Sequence, residues 1–172
     1  MRRGIETPKV IAYFEHEDPS RALDNWFICE HANTRLSVRG FFSAYATGEE
    51  TVEGFTFEAF SEQLIEFIRE VHGRGVYFRD LSGGNVLVRI EEDRRLVFSL
   101  IDTARARFLN RRFARGKRVA DLKRLVNKLD PERQKNVMEA YLEKEGAKFT
   151  AYHKFTFKMY ALKARLKRIK RK

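Results

Sequence analysis

With 172 residues, 43% hydrophobic and 13% aromatic, the chain can bury a substantial core, which excludes disorder as its dominant state and predicts one domain or a domain and a half. Its single cysteine, Cys29, excludes an internal disulfide and favours a reducing compartment. The formal charge of +11 is unevenly placed, with ten Lys or Arg against one acid from Ala104 to Lys128 and seven basic residues in the ten from Lys163 to Lys172, a pattern that points to a polyanionic partner or surface.

The start, Met1-Arg2-Arg3-Gly4, lacks the apolar stretch of a signal peptide, and no segment approaches the roughly eighteen apolar residues that span a bilayer, so a cytoplasmic protein is expected. Val10 to Phe14 is apolar and β-prone, His16 to Asp24 is polar and contains Pro19, and Asn25 to Cys29 is apolar again, which predicts two paired strands with Cys29 buried. Residues Asn33 to Gly54 have no firm period and read as mostly irregular, with a helix at most around Phe41 to Thr47. From Phe57 the apolar positions Phe57, Phe60, Leu64, Phe67, Ile68 and Val71 recur at three and four, and Gly73 and Gly75 stop the helix they predict.

Val86 to Val88 and Leu96 to Ile101, separated by the charged cluster Glu91 to Arg95, predict a hairpin with Asp102 at its far end. Val119, Leu122, Leu125, Val126 and Leu129 form a helical stripe. Asp130-Pro131 then supplies an N-cap and a proline at the first helical position, opening a helix to about Glu145. A last helix from about Tyr152 carries Phe155, Met159, Leu162, Leu166 and Ile169 on one side and the basic tail on the other.

Chemistry concentrates between the first long helix and the end of the hairpin. His72 and Gly75 lead into Arg79-Asp80-Leu81-Ser82-Gly83-Gly84-Asn85, and Leu100-Ile101-Asp102 follows. Taken singly, each residue has a plainer reading: Asp80 or Asn85 as a turn residue, Asp102 as the cap of a short turn. Gly83-Gly84 is too short for a phosphate loop, and His16, His31, His72 and His153 lack zinc-ligand spacing. Together, Arg-Asp-Leu-x-x-x-Asn after a helix and an Asp at the end of the next hairpin resemble the catalytic loop and metal-binding aspartate of protein kinases.

Within the kinase-like families the closest resemblance is to the bacterial lipopolysaccharide kinases that phosphorylate Kdo or heptose of the inner core. It rests on Gly4-Ile5-Glu6-Thr7-Pro8 before a strand, on Arg79-Asp80-Leu81 with Asn85, and on Ile101-Asp102-Thr103-Ala104-Arg105-Ala106-Arg107-Phe108, where an arginine-rich run replaces Phe-Gly; it extends from about Gly4 to Leu129. The resemblance implies an α+β, protein-kinase-like fold with a mostly helical C-terminal lobe and a truncated N-terminal lobe. Residues 1–32 would be the remnant of that N-terminal lobe with the hinge, and 33–172 the C-terminal lobe with its basic tail. It further implies ATP and Mg²⁺ as cofactors, Asp80 as the catalytic carboxylate, Asn85 and Asp102 as metal ligands, and Glu30 to Ala32 as the hinge whose backbone meets adenine. Asp121 with Leu122 would begin a helix that braces the catalytic loop.

Two departures stand out, the first minor because the residue replaced is largely architectural. Phe78 stands where many kinases have histidine, and no glycine-rich loop precedes the strands, Lys9 being the only lysine before Asp80. The chain therefore reads as beginning just after the segment that grips the triphosphate, and weak activity or none is expected of the chain alone. The leading expectation is an ATP- and Mg-dependent kinase acting on a lipopolysaccharide core precursor or another hydroxyl acceptor, with peripheral contact to the anionic inner membrane. The alternatives are a non-catalytic kinase-like binding module, whether pseudokinase or truncated fragment, and a RIO-like protein kinase. Nucleic acid is disfavoured as a partner, because no recognised motif is present and Phe155, Phe157 and Tyr160 suit core packing better than base stacking.

Overall fold

The architecture comes from a computed structural model that describes residues 3–18, 20–21, 26–110, 113–156, 158–159 and 162. Strands β1 (Val10–Phe14) and β2 (Trp26–Cys29) pair antiparallel as a two-stranded sheet. Helix α1 (Val38–Ala46) follows, then the short pair β3 (Thr51–Val52) and β4 (Phe55–Thr56), and the long helix α2 (Phe57–Gly73). Strand β5 (Val76–Tyr77) leads to the hairpin β6 (Val86–Ile90) and β7 (Leu96–Leu100), and β8 (Arg107–Phe108) returns to pair with β5. Helices α3 (Arg115–Leu125) and α4 (Pro131–Lys144) complete the core, and residues 151–156 are again helical.

Helix α2 organises that core. Thr56 caps it by accepting from the Ala59 N–H, and its three-and-four spaced side chains Phe60, Leu64, Ile68 and Val71 are completely buried. Each contributes roughly 1.5–3 kcal/mol of gross burial, offset by the entropy of ordering it. Phe60 stacks on Phe41 of α1 with ring centroids 4.2 Å apart and meets Phe98 of β7 edge-on, so one helix ties the first helix to the hairpin. Tyr45 donates its hydroxyl to the Phe55 carbonyl at 2.8 Å, and burial pushes its pKa up to about 12.

The stretch read as mostly irregular between Asn33 and Gly54 holds more structure than that, and the helix allowed around Phe41 to Thr47 is present as α1. Ser37 caps α1 through the Gly40 N–H, and Glu53 and Gly54, with φ of 52° and 77°, make the tight turn joining β3 to β4. Two successive residues with positive φ give the hairpin turn that matches strand twist, a signal that Glu53 masks because only Gly54 advertises it. The last helix also departs from expectation. Tyr152, Phe155, Met159 and Leu162 are exposed, while Leu166, Ile169 and the tail from Lys163 lie outside the described residues. Cys29 is exposed rather than buried, because among the described residues nothing covers the β1–β2 ladder: Ile11, Tyr13, Trp26 and Phe27 all remain at least 60% accessible.

Asp130 caps α4 as its sequence position requires, accepting from the N–H groups of Glu132 and Arg133. Burial acts to raise its pKa, but the Arg133 backbone and guanidinium outweigh it and hold the carboxyl below the usual aspartate value. A depressed folded pKa stabilises above the unfolded value and is lost as pH falls through the folded one. Asp130→Ala is expected to cost about 1 kcal/mol near neutral pH. In thermal melts, the gap from wild type should narrow as pH falls below the usual aspartate range and the cap protonates.

Candidate active site

The segment carrying Asp80 is held from two sides. Strand β5 delivers the chain out of the core and pairs with β8, so the stretch before Asp80 and the stretch after Asp102 are bound side by side. The Asp121 side chain, fully buried in the second turn of α3, accepts the N–H groups of Phe78 at 2.9 Å and Arg79 at 3.0 Å. Arg79 is thereby fixed at φ 68°, a left-handed conformation that an arginine adopts only when its surroundings impose it. Asp121 thus braces the loop from within α3 rather than from its start. Behind it, His72 Nε2 lies 3.8 Å from Asp121 Oδ2, and His72 Nδ1 hydrogen-bonds the Tyr141 hydroxyl at 2.7 Å. His72 is therefore structural, as its place at the helix end suggested.

Within the loop, the Ser82 N–H and Asn85 Nδ2 both donate to the Asp80 carbonyl, at 2.7 and 3.0 Å. This turns the chain back on itself, and the 3-10 turn Gly83–Asn85 brings the Asn85 side chain beside Asp80. The Ile101 N–H donates to the Asn85 carbonyl at 3.0 Å, which brings the end of β7, and Asp102 with it, to the same place. Asp102 has φ 56° and ψ 55°, a second left-handed non-glycine at this site. Asp80, Asn85 and Asp102 are thus gathered at one loop cluster.

Their free oxygens define what the cluster can hold. The Asp102 carboxylate has no hydrogen-bond or ion-pair partner among the described residues. Asn85 spends its amide nitrogen on Asp80, which leaves Oδ1. Arg105 Nη1 sits 3.1 Å from Asp80 Oδ2, so one carboxylate oxygen of Asp80 is engaged. Among the described residues no three His, Cys, Asp or Glu side chains cluster as a metal site. One or two carboxylates with an amide oxygen are nevertheless the hard donors that suit a magnesium ion arriving with phosphates, since phosphates and water complete its octahedron. The residues present fit that ion.

The hinge residues are not joined to this cluster by any hydrogen bond or ion pair among the described residues. The Glu30 N–H donates to the Lys9 carbonyl at 2.8 Å, with Lys9 Nζ 3.9 Å from the Glu30 carboxylate, and the Ala32 carbonyl accepts from Thr34 at 2.8 Å. What ties the segment down is its continuation, where Thr34 Oγ1 donates to the Val88 carbonyl of β6 at 2.6 Å. Sequence reasoning quoted Arg105 without giving it a role. Its position three residues past Asp102, on a segment that returns beside β5, is the signal for its contact with Asp80.

A model of the lipopolysaccharide kinase (Kdo/WaaP) family matches residues 1–153. Among solved structures, one described as WaaP in complex with acyl carrier protein superposes with a TM-score of 0.71 at 19% identity, covering 94% of this chain and 70% of that one. At that identity the likeness bears on fold alone, and the fold it shares is kinase-like. No curated protein matches the chain.

Proposed function

Because the chain belongs to the lipopolysaccharide kinase (Kdo/WaaP) family and is a kinase, we propose that it transfers the terminal phosphate of ATP to a sugar hydroxyl of a lipopolysaccharide core precursor. Asp80 is the carboxylate that accepts the hydroxyl proton as the new O–P bond forms and the bond to the leaving ADP breaks. Asn85 Oδ1 and the Asp102 carboxylate are the ligands for magnesium, which when bound supplies positive charge against the phosphate oxygens. The Ala32 N–H and Glu30 carbonyl, not consumed by the turn, are the groups that meet adenine.

The observation that carries this reading is the pair of hydrogen bonds Asn85 Nδ2 to Asp80 O and Ile101 N to Asn85 O. They give a base and two oxygen ligands a common frame, and positioning is most of what phosphoryl transfer asks of a protein. Residues 1–32 then serve as the nucleotide side with the hinge, and 33–172 as the lobe holding the catalytic loop. No helix among the described residues is long and apolar enough to cross a membrane. The acceptor is met at the cytoplasmic face of the inner membrane, where the basic tail from Lys163 gains roughly 1 kcal/mol per Lys or Arg near an anionic leaflet.

Transfer of labelled phosphate from ATP to isolated core precursor tests the reading. Product should form with magnesium and fall to background in excess EDTA, returning when magnesium is restored. Transfer that persists in EDTA contradicts the assignment of Asn85 and Asp102.

A further inference from the structure

The loop has a second face, turned to α1. There a small cavity of about 80 Å³ is bounded inside by the buried Phe42 and Leu125 and at its rim by Arg39, Ser82, Asn127 and Lys128. No carboxylate lines it. Arg39 and Lys128 are exposed, and neither has a hydrogen-bond or ion-pair partner among the described residues. The volume suits about two or three waters, or one phosphate or carboxylate group.

The two glycines of the loop make this arrangement. A Cβ at Gly83 would lie 2.9 Å from the Arg39 backbone nitrogen, so only glycine lets α1 come this close. A Cβ at Gly84 would lie 2.5 Å from Arg39 Nη2 and 2.6 Å from its Cζ, which shows the guanidinium laid against the Gly84 backbone. Gly83-Gly84, too short to grip a nucleotide, instead seats an arginine on the catalytic loop. An arginine placed there, with its donors unspent beside a lysine, is arranged for an anionic oxygen group.

We propose that this cavity is an acceptor subsite: Arg39 and Lys128 bind a phosphate or carboxylate already carried by the sugar whose hydroxyl Asp80 serves. The assignment rests on the phosphotransfer reading above and names the residues that hold the anionic group of its acceptor. The cavity lies between α1, the loop and the turn after α3, and includes no hinge residue, so it is distinct from the nucleotide side.

The test is a pair of NMR titrations of the full chain, with inorganic phosphate and with acetate, against chloride at equal ionic strength. The Gly83 and Gly84 amides and Arg39 Nε should shift and saturate with at least one anion, and which anion binds tells whether the acceptor carries phosphate or carboxylate. Arg39→Gln should weaken that binding about tenfold or more. Lys128→Gln, outside the catalytic loop, should weaken it as well. Mg·ATP affinity, measured by calorimetry on the same variants, should stay within about twofold of wild type. Shifts that do not saturate, that spread over the basic surface, or that survive Arg39→Gln overturn the proposal. So does a parallel loss of Mg·ATP binding, which gives the site to the nucleotide. Saturating anion binding in a wild-type chain that fails to bind Mg·ATP counts against the phosphotransfer reading instead.

Discussion

Asp80→Asn is expected to lower kcat for phosphoryl transfer by about 10²- to 10⁴-fold, the usual worth of a positioned general base. The substitution keeps the shape of the side chain and leaves untouched the Asp80 carbonyl that accepts from Ser82 and Asn85, so the loop should hold its form. The ion pair with Arg105 is lost, but Asp80 is 37% and Arg105 65% accessible, and a pair that exposed contributes at most about 1 kcal/mol. Steady-state transfer beside a thermal melt separates the two effects. A variant that melts like wild type and turns over within about fivefold of it removes Asp80 from the chemistry.

Asp121→Ala is expected to be the most destabilising single change at the site, by about 3–5 kcal/mol. Its carboxylate is fully buried and accepts two backbone N–H groups, with Arg124 3.6 Å away as its nearest cation. Removing it orphans the Phe78 and Arg79 amides in the core and releases Arg79 from its left-handed conformation. Chemical denaturation should show a lower midpoint at unchanged slope, and kcat should fall even at temperatures where the variant stays folded. A loss under about 1 kcal/mol contradicts the bracing role.

How much was legible beforehand follows from where each signal lies. Helix α2 and the β6–β7 hairpin were readable because a period of three and four, or a charged break between apolar runs, is local and repeated. Asp130-Pro131 was readable because a cap is written in two adjacent residues. That Asp80, Asn85 and Asp102 come together was readable only from all three at once, since each alone is a common turn residue. The hairpin at Thr51 to Thr56 was missed because Glu53 takes a positive φ that its residue type does not announce. Cys29 was misplaced because β propensity says that a strand forms, not whether anything covers it. Arg39 and Arg105 escaped notice because their partners lie far along the chain: Gly84 for one, Asp80 for the other. Arg105 had one local signal, its place three residues past Asp102, whereas nothing in an arginine-rich sequence marks Arg39 as the one laid against Gly84.

The central claim is that Asp80, Asn85 and Asp102 form a magnesium–nucleotide site, and calorimetry of Mg·ATP binding to the chain beside its Asp102→Ala variant tests it most directly. The account predicts binding that requires magnesium and disappears in the variant, whose lost carboxylate is exposed and unpaired among the described residues and so carries little of the fold. Binding of equal strength in the variant, or no binding to the wild-type chain, contradicts it.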